Sequence, residues 1–163
     1  MRIARLLMVP ALLASLAACS ATIQISLPEQ RFTVDTLMDT QGKILYPKDS
    51  IRGFQPVPGV KEVRVEGTLE ANQPLDTTLS FYVRLSDPRL DSSCSYITVL
   101  QAYACPIGPA DENTGEAQFQ SSYSTFLALK GANLTQGIVQ GQFWLGLKAE
   151  GLPSSAVTLT LKD

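Results

Sequence analysis

Histidine is missing from all 163 residues. Its absence removes the usual general base near neutral pH and the commonest metal ligand. It also excludes Ser-His-Asp and Cys-His catalysis and any zinc site that uses histidine. Charged residues are scarce at 17% of the chain, and no basic run answers a phosphate backbone, so nucleic acid is not an expected partner. After the first twenty residues there is no convincing amphipathic helix, no internal repeat, no low-complexity tract and no S-x-x-K spacing of a serine nucleophile. Fifteen acidic residues allow many carboxylate pairs of the kind that hydrolyses glycosidic bonds, but no motif selects one. Neither an enzyme nor a cofactor nor a metal site is expected.

What is present begins with "MRIARLLMVPALLASLAAC". Arg2 and Arg5 form a basic head, and Leu6 to Ala18 is an uncharged, mostly apolar run of thirteen residues. As a helix that run reaches roughly 20 Å, short of the roughly 30 Å hydrocarbon core of a bilayer. Head, short apolar run and small residues together form a secretory signal pattern. Leu16-Ala17-Ala18-Cys19 resembles the lipobox of bacterial lipoproteins: an aliphatic residue, two small residues and cysteine. The resemblance covers only these first residues, and the remaining chain matches no named family by its motifs. It implies cleavage before Cys19, a lipid on the Cys19 sulfur and further acylation of the new N-terminus, so that membrane attachment runs through that lipid. More than one acyl chain is what stable anchoring requires. Ser20, rather than Asp, after the cysteine implies the outer membrane where the host has one.

Residues 1–18 are thus read as signal, 19–21 as a lipidated tether and 22–163 as one domain. Removing Arg2 and Arg5 leaves 11 basic against 15 acidic residues, a charge of about −4, which favours solubility. Periodicity after the tether is two. Ile23, Ile25 and Leu27 alternate with polar neighbours, as do Val63, Val65 and Leu69, then Leu79, Phe81, Val83 and Leu85, and finally Val157, Leu159 and Leu161. Such alternation marks strands with one dry and one wet face, common in antiparallel sheets. "LPEQ", "ANQPLD" and "EGLPSS" supply turn chemistry between runs. The expected fold is all-β: a single antiparallel β-sandwich of about seven to nine strands, immunoglobulin-like in general layout, with a closed barrel as the alternative. The stretch from Gly42 to Gly59, rich in proline and glycine, is expected to be irregular and to serve as a packed connection between sheets.

Cys94 and Cys105 remain after Cys19. Export permits a disulfide. The intervening "SYITVLQAYA" reads as one strand, which would hold the two Cα atoms roughly 37 Å apart, whereas a bridge needs them within about 7 Å. A disulfide is expected, and it requires the chain to reverse inside this segment without help from Gly or Pro. "DENTGE" at 111–116 and "SDPRLDSS" at 86–93 are expected to be plain polar turns, since neither has the spacing of an EF-hand loop. In "VQGQFWLGLK", alternation sends Val139, Phe143, Leu145 and Leu147 inward and Trp144 outward beside Gln140 and Gln142; Tyr82 also points outward. A loop cover or a bulge turns Trp144 into a buried residue; left open, Trp144 and Tyr82 are the candidate ligand-binding pair.

Two functions follow as expectations. The first is a lipid-anchored protein of the bacterial cell envelope, facing the periplasm or the cell surface, with a non-enzymatic structural, assembly or protein-binding role. The second is a ligand- or carbohydrate-binding module using the outward aromatics, with an envelope protein or a glycan as partner.

Overall fold

The computed structural model of the chain describes residue 25 and residues 27–35, 42–153 and 155–163. The signal, Cys19, the tether and Ile23 lie outside the described residues. Two antiparallel sheets pack face to face as a sandwich and do not close into a barrel. The smaller sheet has the order β1 (Gln30–Val34), β11 (Val157–Lys162), β4 (Arg64–Leu75), β9 (Ser122–Lys130). The larger has the order β6 (Ser95–Ile97), β7 (Ala102–Pro106), β2 (Lys43–Pro47), β10 (Gln142–Ala149), β5 (Thr78–Arg84), β8 (Glu112–Gln118). A two-residue β3 (Ile51–Arg52) also pairs with β10, through Ile51↔Phe143 and Arg52↔Gln142.

The core between the sheets is the alternating set. Val65, Leu69, Leu159 and Leu161 from one sheet meet Leu79, Phe81, Val83 and Leu145 from the other, all buried. Phe32 and Phe81 meet edge to face across the layers, ring centres 6.0 Å apart, a favourable geometry for an aromatic pair.

Four expectations are corrected. Of "TIQISL", Ile25 and Leu27 are described and neither is in a strand. The first strand starts at Gln30, past Pro28, although Leu27 is still buried. "ANQPLD" does not divide two strands. β4 continues through Leu75, and Pro74 falls where the pairing with β9 slips between Glu70 and Leu75, a break in the ladder that needs no N–H from proline. The 42–59 stretch holds β2 and β3. Ile44, Leu45 and Tyr46 are buried in succession because both faces of β2 are covered, and this erases alternation. Finally, Val139 and Gln140 belong to a helix, α1 (Ala132–Gln140). Gly141, at φ 81°, ends it in the left-handed conformation, as helix C-termini commonly do. Gly137 is required within it, since a Cβ there would lie 2.6 Å from that of Phe143.

The segment between the two cysteines reverses as a bridge demands. β6 and β7 pair Ser95↔Ala104, Tyr96↔Tyr103 and Ile97↔Ala102, so Cys94 and Cys105 come opposite each other. They are joined by a disulfide, with Cα atoms 4.2 Å apart. The turn is made by the N–H groups of Leu100 and Gln101 donating to the carbonyls of Ile97 and Thr98, and it closes with Gln101 at φ 49°. A non-glycine residue in that region costs about 1–2 kcal/mol. Gln101→Gly is therefore expected to raise the urea midpoint, a gain of about 1 kcal/mol once the freer unfolded chain is counted. A lowered midpoint would contradict this reading of the turn.

Candidate functional site on the outer face of the larger sheet

Alternation puts Ile44 and Tyr46 of β2, Tyr82 and Arg84 of β5, Trp144 of β10 and Cys105 of β7 on the face away from the core. Register sets them side by side: Ile44↔Cys105, Tyr46↔Tyr103, Trp144↔Arg84 and Gly146↔Tyr82. Gly146 is the gap that admits Tyr46, since a Cβ there would lie 2.5 Å from Ile44 Cγ2 and Tyr46 Cε1. This face is not wet. Ile44, Tyr46, Tyr82, Cys105 and Trp144 form a second apolar cluster, with Cys94 and Tyr103 packed against it.

Arg84 sits among them with a side chain only 2% exposed. A buried guanidinium is costly unless paired and hydrogen-bonded; here both Nη groups donate, and Nε makes an ion-pair contact but no hydrogen bond among the described residues. Its Nη2 donates to Asp91 Oδ2 at 2.8 Å. Its Nε lies 3.6 Å from Asp111 Oδ1. Nη1 donates to Cys94 Sγ at 3.4 Å and Cys105 Sγ at 3.5 Å, and the guanidinium carbon lies 5.4 Å from the centre of the Tyr46 ring, within cation–π range. Asp111, also 2% exposed in its side chain, accepts from the Tyr46 hydroxyl at 2.7 Å and from Gly108 N–H at 2.9 Å. Burial first, and then the bond to Asp111, push the Tyr46 hydroxyl well above the usual tyrosine range, so it stays a donor.

The segment after β5 closes over this block. Asp87 caps a short 3-10 turn, Pro88–Leu90, in which Pro88 is buried. Asp87 also takes the Arg89 Nε–H at 2.8 Å, and that bond holds its carboxyl below the ordinary value. Asp91 accepts from Arg84 and from both the N–H and the hydroxyl of Ser93. The Arg84 bond, then those from Ser93, hold its carboxyl at about 2. The folded value lies below the ordinary aspartate value of about 3.9, so the stability Asp91 contributes is complete above that value and is lost as pH falls towards about 2. Asp91→Asn is expected to lower the urea midpoint at neutral pH, with the gap to the parent protein shrinking through that window. A gap independent of pH would contradict the pairing.

Neither acidic stretch is the plain polar turn expected. Asp91 and Asp111 neutralise Arg84. Glu112 reaches the start of α1, accepting the N–H groups of Ala132 at 3.0 Å and Asn133 at 2.6 Å, where a carboxylate is favourable. Asn113 accepts from Gly115 N–H within β8, where the pairing with β5 shifts register. Among the described residues, no group of three or more Cys, Asp or Glu gathers closely enough to hold a metal.

Trp144 and Tyr82 lie on the outer face as alternation says, yet they are buried, 7% and 8% exposed. They do not form an open pair: Tyr82 packs inside the cluster, whereas Trp144 reaches the wall of a groove of about 410 Å³. Tyr96 and Tyr103 form another wall, their ring centres 4.9 Å apart, with Tyr96 44% exposed. Lys48, Asp49, Arg52, the Asp87–Arg89 pair, Gln142 and Ser50 complete the lining, the last two bonded to each other at 2.8 Å. Alternation could not reveal Arg84 as buried, because it shares a face with Ser80 and Tyr82. The signal for it was the pair of loop acids, Asp91 and Asp111. Tyr96 and Tyr103 could be found only once the chain reversal between the cysteines was drawn in register.

Comparison with family models, with curated proteins and with solved structures finds no match to this chain. The reading of the site therefore rests on its geometry.

Proposed function

We propose that the chain is a lipid-anchored protein of the bacterial cell envelope, attached through Cys19, that acts by binding rather than by catalysis. The lipobox-like Leu16–Cys19 and the signal before it support the attachment. The observation that carries the binding role is the groove beside Trp144, whose wall is pinned from behind by Arg84, two carboxylates and a disulfide. Such bracing lowers the ordering cost of association at the Trp144 wall, which is already held. The groove lining is polar and aromatic, which suits recognition of a polar partner by stacking and hydrogen bonds.

The test has two arms. Radiolabelled palmitate is expected to label the parent protein and not Cys19→Ala, which should leave the membrane fraction; unlabelled parent protein would overturn the anchor. A photo-crosslinking residue at Tyr96, in the groove, is expected to give a discrete adduct in intact cells. The same residue at Thr160, on the opposite sheet, is expected to give none. Equal behaviour at the two positions would overturn the binding face.

A further inference from the structure

We infer that the groove beside Trp144 is a site for an anionic sugar, a pyranose ring carrying a carboxylate or a phosphate. The inference rests on the binding reading of this face and names its ligand class. Charge is the first argument. The chain as a whole carries −2, but the groove gathers Lys48, Arg52 and Arg89 against Asp49 and Asp87. Asp87 is spent on Arg89, whereas Lys48 and Arg52 have no ion-pair partner among the described residues. An acidic protein has thus concentrated a cationic surplus in a concavity, where field lines are focused and an anion is held best.

Ring chemistry is the second argument. Tyr96 and Tyr103 stand together at the groove wall, and such rings offer an apolar face with a polar edge. A pyranose has the complementary make-up, with C–H groups on its faces and hydroxyls around its rim. Gln142 and Ser50 supply an amide and a hydroxyl for that rim. The indole N–H of Trp144 is sealed from solvent and has no partner among the described residues, so the groove offers a ligand the ring of Trp144 and not its N–H. Size is the third. About 410 Å³ falls in the lower part of the range for small-molecule sites and is small for an extended peptide.

Trp144 is the chain's sole tryptophan, so its emission reports the groove directly. The oxidised full-length protein in detergent is titrated with glucuronate, a hexose phosphate, glucose, inorganic phosphate and a glutamate-rich peptide. Saturable change is expected with at least one of the two anionic sugars. Glucose, which lacks the charged hydrogen bond, and phosphate, which lacks the ring, are each expected to bind at least about tenfold more weakly. Lys48→Gln with Arg52→Gln is expected to weaken sugar binding by at least about tenfold, and Lys162→Gln, on the other sheet, to leave it unchanged. No response to either anionic sugar from protein with an intact disulfide overturns the assignment. Equal binding of phosphate, or of the peptide, also overturns it. A flat sugar titration alongside a retained crosslink at Tyr96 sinks the sugar and spares the binding face; loss of both sinks both.

Discussion

Methionine in place of Arg84 is expected to destabilise the oxidised protein by about 3–5 kcal/mol, the usual cost of removing one partner of a buried ion pair. Asp111 makes the cost large. Its carboxylate is almost fully buried, and without the guanidinium it keeps only Tyr46 and Gly108 as donors. Asp91, a third exposed, can turn to water, so the loss falls mainly on Asp111. Arg84→Met with Asp111→Leu removes both charges, and the double variant is expected to regain part of the loss, since well-packed apolar replacements of buried pairs are often tolerated. Urea midpoints with unchanged slope are the readout. A fall of less than about 1 kcal/mol for Arg84→Met would place the buried pair among those of little consequence.

The second large effect is expected from Cys94→Ala with Cys105→Ala. The bridge closes a loop with a sequence separation of 11, and in the chain-entropy model such closure contributes about 3 kcal/mol. Alanine is the right replacement at position 105, because Cys105 is fully buried and serine would bring a hydroxyl into an apolar cluster. The loss is not confined to the unfolded state. Both sulfurs accept from Arg84 Nη1, so removing them also takes two neighbours from the guanidinium. For that reason the Arg84 and cysteine changes are not expected to add; contacting residues commonly couple by about 0.5–3 kcal/mol. Strict additivity would show that the sulfur contacts carry no energy.

Alternation identified strands where one face is dry and the other wet. That held for Val65 to Leu69 and for Val157 to Leu161; at Leu79 to Val83 it found the strand and its core face, although Tyr82 on the other face is buried too, and the sandwich follows from these three. It failed at Ile44-Leu45-Tyr46, where a second cover makes both faces dry and a central strand looks like irregular chain. It failed at α1 for a different reason. Asn133, Thr135 and Gly137 are weak helix formers, and the helix is held by Glu112, twenty residues before its first turn, and by Asn133 donating to the carbonyls of Val83 and Ala110. The candidate site was half legible. The faces of Tyr82 and Trp144 could be read from their own strands, but their cover could not. That cover consists of Arg84 reaching Asp91, on the segment that follows its own strand, and Asp111 and two sulfurs, brought beside it from the chain between residues 94 and 111.

Solvent access to Trp144 bears most directly on the claim that a braced cover, and not an open aromatic surface, builds this face. Acrylamide quenching of its emission is the measurement. Weak quenching is predicted while Cys94 and Cys105 are joined, rising several-fold when the bridge is reduced or replaced by alanine under conditions where the protein remains folded. Strong quenching of the oxidised protein, or quenching indifferent to the bridge, would contradict the account.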